Sequence, residues 1–261
     1  MSQSPPKTRT VLAMTLLVVV GATCIALGIW QLNRATERRA IASSIQQGQV
    51  TTAVDLNTSM SDPARFKHWT PATANGHWRG DLSVLLDNRN LEGRPGLWLA
   101  TPLVMVDGRA VLVLRGWFAR PLGEQKAPVV ATTLGVQQLS GELAEHVPRM
   151  FELWSSGQAK PSNFGFKSHA AVTTQMDSVD TAKLQRVQNL TLAEFSDQSG
   201  LNLLPVVLLQ TSALNDGLIR VWPKPSVDAD KNTGYAMQWF GFATICLIAL
   251  LAMAWRLRRN Q

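Results

Sequence analysis

Two long apolar runs, Val11 to Trp30 and Tyr235 to Trp255, carry no charged side chain and enclose a stretch of mixed polarity. At ~1.5 Å of rise per residue, either run is long enough as a helix to cross a hydrocarbon core of about 30 Å. The pattern predicts a membrane protein with two transmembrane α-helices, residues 11–30 and 235–255. Two crossings return the chain to its starting side, so residues 31–234 make one extramembrane domain, and residues 1–10 and 256–261 are short tails on the opposite face. The first run exceeds the roughly 7–15 apolar residues of a signal-peptide core and continues to Trp30 without a loop-like break. It is therefore read as a retained span.

Beyond Trp30, good helix formers continue from Gln31 to Gln47 with no Pro or Gly before Gly48, so the first helix is expected to extend past the apolar run. Gln31, Arg34 and Arg38 then share one face. Thr51 to Arg65 reads as a loop. The pattern next shortens to strands, over Leu82 to Asp87, Leu97 to Val106 and Ala110 to Phe118, with Asp107-Gly108 as a hairpin turn. Thr133 to Ser140 adds another strand, and Val206 to Gln210 and Leu218 to Trp222 add two more around Asn215-Asp216-Gly217. Thr191, with Glu194 three residues on, marks the start of a short helix over Leu190 to Gln198. Met150 to Ser178, with scattered Gly, Pro, Ser and Asn, reads as loops. These elements predict a strand-dominated α+β domain whose sheet is antiparallel, because its connections are short.

The formal charge of +7 changes the picture only when apportioned along the chain. All 18 acidic residues and 20 of the 25 Lys and Arg lie between Asn33 and Gly234, which leaves that stretch at +2. The remaining cations, Lys7, Arg9, Arg256, Arg258 and Arg259, flank the spans. Basic flanks mark the cytoplasmic side; Arg34, Arg38 and Arg39 after the first run oppose this bias, and the three arginines after the second tip the balance. The expectation is a bacterial inner-membrane protein with a periplasmic domain and both termini cytoplasmic. A charge distributed in this way gives no reason to invoke nucleic acid.

Cys24 and Cys246 both fall inside the runs, so the domain has no disulfide and no thiolate metal site, and the two are read as small packing residues. His68, His77, His146 and His169 lack the two-His helical spacing of a zinc protease, and there is no Gly-x-Ser-x-Gly elbow. No catalytic or metal-binding residue is assigned, and the chain is read as a non-enzyme.

Four segments are more specific. They are Gly28-Ile29-Trp30-Gln31-Leu32-Asn33-Arg34; Leu86-Asp87-Asn88-Arg89 followed by Gly93 and Gly96; Val111-Leu112-Val113-Leu114-Arg115-Gly116-Trp117; and Gly234-Tyr235-Ala236-Met237-Gln238-Trp239-Phe240. In this order, between two apolar runs, they resemble the Surfeit locus protein 1 family of cytochrome c oxidase assembly factors, over residues 28–38, 76–121 and 203–243. The resemblance implies a non-catalytic chaperone of respiratory-chain biogenesis. It would assist delivery or retention of haem a, a transient cargo, while the large haem-copper subunit matures. Partners would be that subunit, haem a synthase and membrane lipids. The alternative is a membrane-anchored structural adaptor that binds oxidase or haem synthase and never contacts haem.

Trp30, Tyr235 and Trp239 stand at the ends of the runs, where amphipathic rings anchor a helix at the interface. The same rings suit the flat apolar body of a haem. Arg34 and Arg38 lie just past the boundary, with forked donors that match propionates or lipid phosphates. These five are the candidate cofactor-binding residues. Gly28, Gln31, Asn88, Arg89, Arg115, Gly116, Trp117 and Gln238 are the structural or partner-facing positions. Arg89 and Arg115 are expected in ion pairs or hydrogen bonds to backbone, and Gly116 beside Trp117 marks a bulge or a close backbone approach. In one position the chain departs from the family pattern. Many bacterial relatives carry a histidine three residues before the tyrosine of the last motif, whereas Asn232 stands there, and neither run contains a histidine. The axial ligand is left open among Tyr235, Met14, Met237, Met253, a loop histidine and none.

Overall fold

A computed structural model of the chain describes residues 6–58, 66–123, 126–149, 164–166 and 177–259. In chain order its elements are α1 (Pro6–Val50), β1 (Val54–Asp55), β2 (Pro71–Trp78), β3 (Val84–Leu86), β4 (Gly96–Val104), β5 (Arg109–Ala119), β6 (Val129–Ala131), β7 (Gln137–Ala144), β8 (Ser178–Asp180), β9 (Arg186–Val187), α2 (Leu192–Ser199), β10 (Asn202–Gln210) and α3 (Ala229–Arg259). They divide into two compact units, Met1–Ser44 with Lys224–Gln261, and Ile45–Pro223.

In the first unit, α1 and α3 are each long and apolar enough to cross a membrane. As expected from its helix formers, α1 runs unbroken past Trp30. Leu17, Gly21, Cys24, Gly28, Gln31, Ala35 and Arg38 recur at spacings of four and three and are among the less exposed positions of α1. That repeat is the seam of a helix pair. Small residues let the backbones approach: a Cβ on Gly28 would lie 2.7 Å from the ring of Phe240, and one on Gly21 would touch the Cβ of Cys246.

The second unit is a barrel. β2 pairs with β7 along one edge and, at His77 and Trp78, with β4 along the other; β4 pairs with β5, β5 with β10 and β10 with β7. The five strands close into the ring β2–β4–β5–β10–β7, in which only β5 and β10 run parallel. That strand order is the connectivity of the OB-type Greek-key barrel. Closure depends on a bend: the 3₁₀ turn Gly80–Leu82 redirects the chain from β2 into β3, which continues along the edge of β4.

The strand-dominated reading agrees with this architecture, but the sheet is mixed rather than antiparallel. β1 with β2, β3 with β9, and β5 with β10 are parallel pairs. Each joins strands separated by a long segment, to which the short-connection argument does not apply.

Alternation along the strands divides the core. Val111 and Val113 of β5, Leu204, Val206 and Leu208 of β10, and Leu139 and Leu143 of β7 face the barrel interior with Ala72, Ala74 and Trp78. Leu112, Leu114, Val207 and Leu209 face outward and are covered by Leu82, Val84, Phe164 and Phe195 of α2. The outer face of β4 and β5, which carries ligands in nucleic-acid-binding OB folds, is thus occupied by this chain's own segments. α2 is capped as its sequence predicts: Thr191 Oγ1 accepts the Glu194 N–H at 3.2 Å, and Gly200 ends the helix in the left-handed conformation.

Three expectations differ. β2 is absent from the sequence reading because Pro71-Ala72-Thr73-Ala74-Asn75-Gly76 has no large apolar residue; small side chains are what a closing ring admits, and a Cβ on Gly76 would lie 2.4 Å from the Val104 carbonyl oxygen. β7 begins at Gln137, later than expected. Leu218 to Trp222 is no strand: only Ile219 bridges, to Trp117, because Asp216 and Arg220 turn inward. Most of the expected loop from Met150 to Ser178 lies outside the described residues.

A Cβ on Gly96 would stand 2.2 Å from the Trp117 indole. Gly96→Ala is expected to lower the unfolding free energy of the full chain by about 2–3 kcal/mol, read by denaturant titration of tryptophan fluorescence. Gly93→Ala, which meets open space at φ +78°, should cost only about 1 kcal/mol.

Candidate functional site

Polar contacts join α1 to the start of α3. Asn232 Nδ2 donates to Gln31 Oε1 at 2.6 Å, Arg38 Nη1 donates to the Asp228 carbonyl at 2.8 Å, and Arg39 Nη2 donates to Thr233 Oγ1 at 2.9 Å. With the exposed Arg39–Asp230 ion pair at 4.0 Å, they fix the register of two helices whose contact along the seam is otherwise largely apolar and therefore tolerant of sliding.

Trp30, Arg34 and Arg38 follow one another at intervals of four, as do Lys231, Tyr235 and Trp239, so each trio lies along one helical face. The two faces share a flank of the pair. Lys231 has its pKa raised by the hydrogen bond to the Asp228 carboxylate, and it also senses the Tyr235 and Arg38 charges, the latter lowering it. Trp30 and Tyr235 are about half exposed, and Trp239 meets Phe242 edge-on at 6.0 Å. Arg34 pairs with Glu37 at 3.3 Å in an exposed contact, which is worth little on its own. The five candidate residues thus occur on one flank, with Lys231 as a third cation that the sequence reading passed over; its spacing of four from Tyr235 was the available signal. Gln238 is exposed, whereas Gly28 is buried in the seam. An apolar groove of about 450 Å³, lined by Gly21, Ala22, Ile25, Phe240 and Ala243, opens on the other flank, since Ile25 is half a turn around α1 from Arg34.

The remaining motif residues lie in the barrel and hold it together. Arg115 is fully buried. Its Nη2 donates to the Ala131 carbonyl at 2.6 Å and to Asp216 Oδ2 at 3.2 Å, its Nη1 donates to Thr132 Oγ1 at 3.2 Å, and its guanidinium stacks 4.7 Å from the Trp78 ring centroid. Arg220 takes the same Asp216 oxygen at 2.6 Å. Burial lowers the Arg115 pKa to about 10, against the opposing pull of Asp216, so the group is still a cation at neutral pH.

Gly116 permits the next contact: a Cβ there would meet the Leu218 Cβ at 2.7 Å. Trp117 then exchanges both backbone hydrogen bonds with Ile219, and its Nε1 donates to the Arg89 carbonyl at 2.6 Å. Arg89 stacks 4.7 Å from the Trp98 centroid and donates to the Gln188 carbonyl at 3.0 Å; desolvation lowers its pKa to about 10. Asn88 adopts φ +57°, and its neighbour Asp87 pairs with Arg120. Arg89 and Arg115 therefore make the hydrogen bonds to backbone that the sequence predicts, and Arg115 also makes the ion pair.

His68, His77 and His146 belong to the barrel unit, and His169 lies outside the described residues. Among the described residues no group of three or more His, Cys, Asp or Glu is arranged to hold a metal ion.

A sequence model described as the SURF1 family matches residues 18–244, most of the chain. The chain belongs to the SURF1 family. A SURF1-like protein of Rickettsia bellii (strain RML369-C) is 30% identical over 115 residues, 43% of this chain and less than half, 44%, of the relative. One of Rickettsia felis (strain ATCC VR-1525 / URRWXCal2) is 23% identical over 266 aligned positions, 97% of this chain and 98% of the relative. One of Rickettsia prowazekii (strain Madrid E) is 23% identical over 228, covering 85% and 82%. In this SURF1 family chain, the two central motifs serve the barrel and the two outer ones serve the helix pair.

Asp216→Asn removes the one carboxylate between two buried guanidinia. It is expected to cost about 3–5 kcal/mol of stability, measured by denaturant unfolding, and a change below about 1 kcal/mol would contradict the burial of this ion cluster. Gly28→Leu should separate the helices, which a spin-label distance between the exposed positions 34 and 235 would register as a broadened distribution.

Proposed function

We propose that this protein is a non-catalytic, membrane-anchored assembly factor for haem-copper cytochrome c oxidase, and that it assists delivery or retention of haem a while the large subunit matures. Membership of the SURF1 family implies a role in cytochrome oxidase assembly. The observation that carries the cargo reading is the flank on which Trp30, Tyr235 and Trp239 stand beside Arg34, Arg38 and Lys231. Bound haem a would supply a flat apolar ring and two propionate carboxylates, carried rather than turned over. The residues fit that chemistry. Arg34 and Arg38 would hold the propionates through forked N–H donors, and the aromatic rings would cover the apolar body at the membrane interface. The clamp of Gln31 on Asn232 would keep both halves of the flank in register.

The partners under this reading are the large oxidase subunit, haem a synthase and membrane lipids. α1 and α3 would cross a bacterial inner membrane, with the barrel in the periplasm and both basic tails in the cytoplasm. A reporter inserted near residue 130 should then be active only in the periplasm.

The adaptor reading, in which the protein binds oxidase or haem synthase without touching haem, is favoured by one feature. Asn232, where many relatives carry histidine, commits its amide to Gln31, and neither apolar run offers an imidazole. Purification from cells that make haem a separates the two. The cargo reading expects a Soret band in the wild-type protein, reduced severalfold in the Arg34→Ala, Arg38→Ala double variant. No Soret band, with the large subunit still co-purifying, would replace it with the adaptor.

A further inference from the structure

Residues 31–44 and 224–234 carry five cations, Arg34, Arg38, Arg39, Lys224 and Lys231, and three carboxylates, Glu37, Asp228 and Asp230. Two of the carboxylates lie on cations of the candidate flank. Glu37 Oε2 accepts from Arg34 Nη1 at 3.3 Å, and the Lys231 ammonium stands 2.9 Å from Asp228 Oδ2. Asp228 bears on Arg38 as well: its carbonyl accepts from Arg38 Nη1 at 2.8 Å, and its carboxylate feels that guanidinium's charge. The hydrogen bond from Lys231 holds the Asp228 carboxyl below the usual carboxylate range, so it is an anion at neutral pH. The third carboxylate, Asp230, is almost wholly exposed and pairs with Arg39, off the flank, at 4.0 Å. Arg34, Arg38 and Lys231 thus each hold an acceptor from the chain itself before any ligand arrives.

We propose that Glu37 and Asp228 are internal competitors that set the ligand requirement of the flank: their carboxylates give up Arg34 on one side, and Lys231 beside Arg38 on the other, to a ligand that carries two carboxylates. An exposed ion pair shifts an equilibrium by no more than about fivefold, so an incoming carboxylate displaces one readily. A singly charged anion loses one pair for each pair it gains. With two carboxylates on one frame, the second exchange is intramolecular and is favoured by a high effective concentration. The displaced side chains stay tethered to the chain and compete for return, which suits a cargo that must leave again. The inference rests on the cargo reading above, in which haem a brings two propionates to these cations. Asp228 also caps α3, since its Oδ1 accepts the Lys231 N–H at 3.4 Å. Asparagine caps a helix as well as aspartate does, so Asp228→Asn removes the charge and keeps the cap.

The test titrates the full chain, in nanodiscs of phosphatidylcholine, with protohaem, which carries two propionates, and with its monomethyl and dimethyl esters, and follows the Soret band. Glu37→Gln and Asp228→Asn are each expected to tighten protohaem binding about two- to fivefold, and roughly tenfold together, while the affinity for the dimethyl ester stays within about twofold. A purely structural effect would move both ligands. In the wild type the monoester should bind within about twofold of the dimethyl ester, and in the double variant it should gain on it. Asp230→Asn removes the same charge from the same helical turn and should leave protohaem affinity within about twofold. If the wild type binds protohaem but the variants bind it no tighter, or if Asp230→Asn gains as much as Asp228→Asn, the competitor role is wrong while the cargo reading stands. A wild-type monoester as tight as the diacid would likewise remove the two-carboxylate requirement. Failure of every variant and of the wild type to bind protohaem would remove the cargo reading, and this proposal with it.

Discussion

The barrel is organised around a charge that has no route to water. Arg115 is interior to a closed ring of strands, and an unpaired guanidinium there would cost several kcal/mol. Its partners come from three separate pieces of chain: Trp78 at the end of β2, Ala131 and Thr132 at the end of β6, and Asp216 in the loop beyond β10. None of these is a neighbour in sequence. The charge is compensated only when strands and loops have all reached their places, so the cluster penalises every partly closed arrangement. Arg220 sharpens this dependence, because two guanidinia rely on a single carboxylate.

Across the same strand, Trp117 has the complementary role on the outer face. It lies over Gly96, bonds the Arg89 carbonyl and pairs its backbone with Ile219. Arg89, Trp98 and Trp222 continue the layer through cation–π and edge contacts. Arginines that invite a ligand-binding interpretation are thus committed to architecture within the barrel. Arg115-Gly116-Trp117 combines an inward charge, a close backbone approach and an outward ring in three consecutive residues.

The helix pair is held differently. Small residues along its seam permit contact, but apolar contact alone leaves register loose. The Gln31–Asn232 hydrogen bond and the contacts of Arg38 and Arg39 supply the missing specificity. Asn232 is thereby an interhelical clamp. A single flank then brings together aromatic rings and cations from helices at opposite ends of the chain.

Periodicity alone determined the two long helices, the hairpin at Asp107-Gly108, the capped helix after Thr191 and the strands rich in Val and Leu, because each is a local pattern of apolar spacing or turn chemistry. The shared face of Arg34 and Arg38 was legible for the same reason, read together with Gln31 at spacings of three and four along one helix, whereas Trp30 was legible as an aromatic residue at the end of the apolar run. Tertiary structure alone decided the rest. β2 is built of small residues whose burial follows from ring closure, the parallel pairs join segments distant in sequence, and Leu218 to Trp222 gives up strand geometry to satisfy Asp216 and Arg220. Lys231 shares its interval of four with Tyr235 in the sequence, but its place beside Arg38 of α1 follows only from the packing of α3 against α1. Such features depend on contacts between remote parts of the chain, and a local pattern of side chains holds no record of them.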